Sequence, residues 1–254
     1  MNLSLDGRVA FISGAGHGIG RATARAMARL GATVGVNDLK AEFVEETLAL
    51  IAADGGRGIA ISQNVASREG MRSAVLGLRE ATGRLDILVN NAAWVRYQPL
   101  AEITPEVMDR MLEIGFKSVI WGMQAAEEAM DPERGGAIVN VASIAGLRSA
   151  PRAVVYSGIK AGVLGLTRAA AVDLGPRRIR VNAVAPGAVP TEGTAKHRNA
   201  ELDAKRIART PLGRLGTVED IADAICFLAS DAAKDVNGQI FAVRNNEIFL
   251  MSQP

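Results

Sequence analysis

The chain has 254 residues, 48% of them hydrophobic and 22% charged, which suits one large α/β domain with a substantial buried core spanning residues 1–254. Lys and Arg number 29 against 27 Asp and Glu, a formal charge of +2, and no basic run is long enough to follow a phosphate backbone, so no nucleic-acid partner is expected. Met1-Asn2-Leu3-Ser4-Leu5-Asp6-Gly7 lacks a basic segment backed by an apolar one, and no later stretch reaches the roughly 18 apolar residues of a membrane span, so a soluble cytoplasmic protein without membrane contact is expected.

Short apolar runs at 8–13, 33–37, 58–61, 87–90, 137–141, 180–185 and 239–243 read as strands, with helical patterns between them. Repeated strand–helix–strand order implies right-handed crossovers and an α/β fold: a doubly wound parallel sheet of about seven strands with helices on both faces. The first strand enters Gly14-Ala15-Gly16-His17-Gly18-Ile19-Gly20 and then the helical Arg21-Ala22-Thr23-Ala24-Arg25-Ala26-Met27. In that context glycines let the backbone approach a pyrophosphate, and the free N–H groups and positive dipole of the helix end stabilise its charge. His17 reads as a solvated loop side chain in the same turn. The second strand ends Val34-Gly35-Val36-Asn37-Asp38, so a carboxylate follows the glycines by about 20 residues, where it accepts hydrogen bonds from adenosine ribose hydroxyls. Asp38 repels a ribose 2′-phosphate and no arginine follows it directly, which favours NAD(H) over NADP(H); Lys40 and His17 bear against that choice. Thr104-Pro105-Glu106 marks a helix start, with a capping hydroxyl, proline at the first helical position and an acid in the first turn. Residues 188–212 are polar, weakly patterned and partly helical, and are expected to form a substrate lid. The single cysteine, Cys226, sits in Ile225-Cys226-Phe227-Leu228 as a buried inert thiol, and His17 and His197 lack ligand partners at metal spacing, so no metal is expected.

Tyr156-Ser157-Gly158-Ile159-Lys160 opens a long helical pattern, and the four-residue step puts phenol and ammonium on one face, about 6 Å of rise apart. The positive charge is expected to stabilise a phenolate and draw the Tyr156 pKa down toward the range useful for acid–base work. Tyr156 can then exchange a proton with an alcohol or carbonyl. Ser143 lies just beyond the strand at 137–141, at the carboxyl edge where open α/β sheets bind ligands, and its hydroxyl can hold the same oxygen.

Together with the glycines, these residues resemble the short-chain dehydrogenase/reductase family over nearly the whole chain, from about Leu5 to about Val243. Ser13-Gly14 with Gly18 and Gly20, Asn90-Asn91-Ala92, Ser143, Tyr156, Lys160, and Asn182 leading to Pro186-Gly187 with Thr191 agree in order and spacing. The resemblance implies a Rossmann-type fold and hydride transfer between NAD(H) and a secondary alcohol or ketone. It implies that Tyr156 handles the proton, Ser143 orients substrate, and Lys160 binds the nicotinamide ribose and tunes Tyr156. The cofactor contacts so implied are Gly14, Gly16, His17, Gly18, Ile19, Gly20, Asp38, Asn91, Tyr156 and Lys160. Asn64 and Val65 would lie near adenine, Pro186, Gly187, Val189 and Thr191 toward the carboxamide end, and Asn90 would fix the sheet edge. The family habit of forming tetramers implies a homotetramer.

Three departures from the family pattern stand out. Many members carry an asparagine in the long helix before the serine strand, linked through water to the lysine; here Leu112-Glu113-Ile114-Gly115-Phe116 permits a kink at Gly115 but supplies no amide, so slower turnover is expected. Ala93 ends the family's Asn-Asn-Ala-Gly, and Arg244-Asn245-Asn246-Glu247 replaces its acidic Gly-Gly turn. The apolar tail Ile248-Phe249-Leu250-Met251 is expected to pack at a subunit interface. Candidate pocket residues are Trp94, Arg96 and Tyr97, Ile144 and Ala145, and Arg148, Arg152 and Val155. The two aromatics suggest an alicyclic or aromatic ring, and the arginines a carboxylate or sugar acid. A carrier-linked 3-oxoacyl reductase is the nearest enzymatic alternative, against which Asp38 weighs because such reductases usually take NADPH. A non-catalytic NAD-binding scaffold is the alternative from another class, and the intact Ser143, Tyr156 and Lys160 weigh against it.

Overall fold

The structure, a computed structural model, describes residues 3–148, 151–192, 200–208 and 210–243. Seven parallel strands form one sheet in the order β3-β2-β1-β4-β5-β6-β7: β1 Val9–Ile12, β2 Thr33–Asn37, β3 Arg57–Ile61, β4 Ile87–Asn90, β5 Gly136–Val141, β6 Ile179–Pro186 and β7 Ile240–Val243. The helices are α1 Gly18–Arg29, α2 Ala41–Ala53, α3 Arg68–Thr82, α4 Pro105–Leu112, α5 Ser118–Ala129, α6 Val154–Asp173, α7 Ala200–Ala208 and α8 Val218–Ala229. The doubly wound Rossmann sheet expected from the strand–helix alternation is the observed one, with strand bounds moved by a residue or so.

Both faces of the sheet are covered. Ala10 and Ile12 of β1 pack with Met27, Ile51 and Ile225 under α1, α2 and α8, whereas Val9 and Phe11 pack with Val75, Ala126 and Val163 under α3, α5 and α6. Successive strand residues thus enter opposite cores, which is why an all-apolar strand is stable here and an alternating one is not needed. Burying side chains such as Phe11 and Ile12 completely contributes about 1.5–3 kcal/mol each.

β1 pairs with β2 on one side and β4 on the other, so the connections change direction there and the carboxyl ends of β1 and β4 open a crevice. Asn90 at the end of β4 donates to Asn140 Oδ1 at 2.9 Å, and Asn140 donates to Thr167 Oγ1 of α6 at 3.0 Å, tying β4, β5 and α6 together beside that crevice. Thr104 caps α4 as expected, accepting from Val107 N with Pro105 in first place. Between α4 and α5 the expected kink is a π-helical turn, Glu113–Lys117, with Gly115 buried inside it. Residues 193–199, which include His197, together with 209 and 244–254, the altered turn and apolar tail among them, lie outside the described residues. Among the described residues no helix is long and apolar enough to cross a membrane, and no group of three or more His, Cys, Asp or Glu is placed to hold a metal.

Candidate active site

The turn after β1 is built for close approach. Gly14 adopts φ +63°, and Asn91, following β4, donates from its amide to Ser13 O and Gly14 O at 2.9 Å each, locking the loop. A β-carbon on Gly16 would lie 2.6 Å from Asp38 Oδ2, so glycine is what lets the carboxylate after β2 rest against the turn. Gly18, Ile19 and Gly20 open α1, whose first turn carries no acid and whose N-cap residue, His17, makes no side-chain cap. The exposed His17 ring packs on Phe43 at 5.7 Å, and Lys40 reaches Glu42 at 3.8 Å and the Phe43 ring at 4.8 Å. An anion already sits at the helix end: Gly18 N donates to Glu192 Oε2 at 3.1 Å. The cradle of N–H groups, the glycine clearance and Asp38 alongside fit a dinucleotide whose phosphates meet α1 and whose ribose meets Asp38. Asn64 is exposed, with its side chain accepting from Ala66 N at 3.0 Å, and Val65 is buried behind it.

Along the same edge, a cavity of about 750 Å³ is lined by Ile19, Asn91, Ser143, Tyr156, Lys160, Pro186, Gly187, Val189 and Thr191. The structure therefore brings the glycine helix, the serine strand and the tyrosine helix to one space. Ser143, just past β5, lines the cavity beside the Tyr156 phenol, and its hydroxyl accepts from Ala145 N at 3.1 Å. Lys160 lies one turn beyond Tyr156, 4% exposed, its Nζ donating to Val141 O at 2.7 Å and standing 5.9 Å from the phenol ring centroid.

Burial governs both ionisable groups. The Tyr156 phenol is pushed up to about 12, chiefly by desolvation and then by Tyr97, with only the Ser143 hydroxyl opposing. This corrects the expectation of a depressed phenol: the nearby ammonium does not outweigh the loss of water. Lys160 is drawn down to about 8 by the same desolvation.

Of the candidate pocket residues, Tyr97 and Arg152 line the cavity, with the Tyr97 ring edge-on to Tyr156 at 5.7 Å between centroids. Trp94, Arg96, Ile144, Ala145, Arg148 and Val155 are not among its lining residues; Trp94 lies instead under the Arg110 guanidinium at 4.4 Å. Two lining residues not singled out from sequence, Asp203 and Arg206, come from α7, and their polar helical stretch gave only a segment-level indication. Glu192 was likewise missed, since nothing local in the sequence aims its carboxylate at α1.

A family model described as enoyl-(acyl carrier protein) reductase matches residues 14–245. An uncharacterized oxidoreductase of Thermotoga maritima is 42% identical over 246 residues, covering 95% of this chain and 97% of that one. Cyclohexanol dehydrogenase of an Acinetobacter species is 36% identical over 244 residues, 96% of each chain. The chain belongs to the short-chain dehydrogenase/reductase family. A solved structure, 7α-hydroxysteroid dehydrogenase complexed with NADH and 7-oxo glycochenodeoxycholic acid, superposes with a TM-score of 0.93 at 34% identity, covering 97% of this chain and 96% of that one. The protein is accordingly an NAD(P)-dependent oxidoreductase acting on CH–OH groups and their ketones. Within this short-chain dehydrogenase/reductase, a β-carbon on Gly115 would lie 3.2 Å from Ile159 Cγ2, so α6 closes over the place where other members carry an amide.

Proposed function

We propose that this enzyme is NAD-dependent and moves hydride between the cofactor and a small secondary alcohol or ketone with an alicyclic ring, using Tyr156 as general acid–base, Ser143 to orient substrate and Lys160 behind them. The observation that carries this reading is that Ser143, Tyr156 and Lys160 line the same cavity that Ile19 and Thr191 enter. Phosphates would be held by Gly14, Gly16, His17, Gly18, Ile19 and Gly20, the adenosine ribose by Asp38, adenine beside Asn64 and Val65, and the nicotinamide end by Asn91, Lys160, Pro186, Gly187, Val189 and Thr191. When bound, the dinucleotide supplies the hydride acceptor or donor. In ketone reduction Tyr156 Oη gives its proton to the carbonyl oxygen while Ser143 Oγ donates to the same oxygen; in alcohol oxidation Tyr156 Oη receives the hydroxyl proton. A phenol held near 12 is protonated at neutral pH, which favours the reductive direction there and makes oxidation climb with alkalinity.

Asp38 supports NAD over NADP, and the engagement of Lys40 with Glu42 and Phe43 leaves the carboxylate as the charge beside Gly16. Residues 188–212 would act as the lid, with α7 over the substrate. Tyr97 gives the ring a flat wall, and the cyclohexanol-oxidising relative supports a substrate of that shape. The decisive experiment is Tyr156→Phe: turnover should fall by roughly a hundredfold or more, followed at 340 nm, with NADH affinity by fluorescence nearly unchanged. Retained turnover would remove Tyr156 from the proton step. Asp38→Ala should raise the NADP⁺-to-NAD⁺ preference at least about tenfold, the scale of one lost charge contact.

A further inference from the structure

We infer that Arg152 is a specificity residue that binds an anionic group, a carboxylate, on the substrate; this rests on the proposed assignment of the cavity as the substrate site. Three cations line the cavity, and two of them are already engaged. Lys160 donates to Val141 O at 2.7 Å, and Arg206 reaches Asp203 at 3.4 Å. Arg152 lines the same space at its solvent-facing mouth, and no carboxylate among the described residues pairs with its guanidinium.

The backbone at this position is the second observation. Arg152 has φ +59°, a left-handed conformation that a side chain disfavours and glycine would adopt more readily. It is held there because Gln98 N donates to Arg152 O at 2.9 Å, and Gln98 is itself buried and bonded onward to Glu102 O. The same tie places Tyr97, the residue before Gln98, against Tyr156. One hydrogen bond therefore sets two walls of the cavity, a flat ring and a forked cation four residues ahead of the phenol. A left-handed arginine where glycine would be easier, next to the reacting groups, is the kind of local cost that persists where the side chain has a use. Arginine's planar fork matches a carboxylate with two parallel hydrogen bonds, which a lysine cannot reproduce.

The test compares cyclohexanecarboxylate with the neutral cyclohexanecarboxamide as ligands of the NADH-loaded protein by calorimetry. In parallel it compares 3-oxocyclohexanecarboxylate with its carboxamide as ketones reduced at 340 nm. The carboxylate should bind, and be reduced with a kcat/KM, roughly tenfold or more above the amide, with the advantage shrinking as salt is raised. Arg152→Gln should erase that ratio and Arg152→Lys should keep part of it. Arg152→Gly should erase the ratio while leaving Tm unchanged or raised, since it relieves the left-handed backbone. Equal treatment of acid and amide by the unaltered enzyme, or an acid preference that survives Arg152→Gln, overturns the inference. If neither ketone is reduced yet the carboxylate binds in an Arg152-dependent way, the anion site stands and the dehydrogenase assignment of this cavity fails. Reduction of both ketones without preference has the reverse meaning.

Discussion

Lys160 is kept dry between α6 and β5, and its proton affinity falls from 10.5 to about 8 because the ammonium loses its water. The unfolded chain then binds that proton more tightly than the folded one. Stability is therefore reduced by this group below about pH 8 and recovers as pH rises from there toward 10.5, by an amount on the order of 3 kcal/mol in full. Lys160→Met removes the titration, so the difference in unfolding free energy between variant and parent should change by up to about 3 kcal/mol between pH 7 and pH 10, in the parent's favour as pH rises. A difference flat with pH in denaturant titrations would mean that folded Lys160 holds its proton as tightly as the unfolded chain does and that burial does not lower its proton affinity. At the turn, Gly16→Ala should weaken NADH binding at least about tenfold and lower Tm, because the new carbon meets both Asp38 Oδ2 and Phe43 Cβ at 2.6 Å and moves the carboxylate from its place. The pairing of Tyr156 with Lys160 was legible from their four-residue spacing alone. The direction of the phenol's shift was not, because it depends on what covers the ring, and the cover comes from residues remote in sequence: Tyr97, Ser143 and the stretch around Val189.

Helix and strand starts were the most legible features, because caps and apolar runs are local. Thr104-Pro105 opens α4 as its residue types dictate, and Thr217 opens α8 the same way, accepting from Asp220 N at 3.1 Å while Asp220 accepts from Thr217 N at 2.8 Å. Thr217→Ala should lower stability by about 1 kcal/mol in urea titration, with no change in cofactor affinity. The π-helical turn at Glu113–Lys117 was legible only as a kink at Gly115, since the extra backbone residue it takes up has no side-chain signature. Its consequence for repair is specific. Gly115→Asn by itself forces a side chain against Ile159 Cγ2, so the single change should lower Tm, and pairing it with Ile159→Leu, which lacks that β-branch methyl, should recover most of the loss. Any gain in turnover from a restored amide is expected only in the pair.

At the scale of the whole molecule, the two-sided core follows from apolar runs that the eye can find in the sequence, but the strand order does not: nothing within residues 33–37 or 87–90 says that both will flank β1. The α7 contribution to the cavity was hidden for the same reason, since a weakly patterned polar stretch reveals no partner. The tetramer that the family resemblance implies belongs to this scale too. Val172 on α6 is 76% exposed and Leu100 69%, large apolar groups that a subunit contact would cover. Light scattering should give four times the 26.6 kDa chain mass, and Val172→Glu should shift the population toward smaller species.

The central position of β1 also orders the birth of the fold. Of the seven strands it leaves the ribosome before the other six, and β2 can close one of its edges within a few dozen residues. The other edge waits for Ile87–Asn90, and β4 in turn waits for β5 at Gly136. Throughout that interval the growing chain carries an open, apolar strand edge with no cover, the condition under which parallel sheets fold slowly and aggregate readily. Yield from expression should therefore respond to synthesis speed, temperature and chaperone supply more sharply than the stability of the finished protein would suggest.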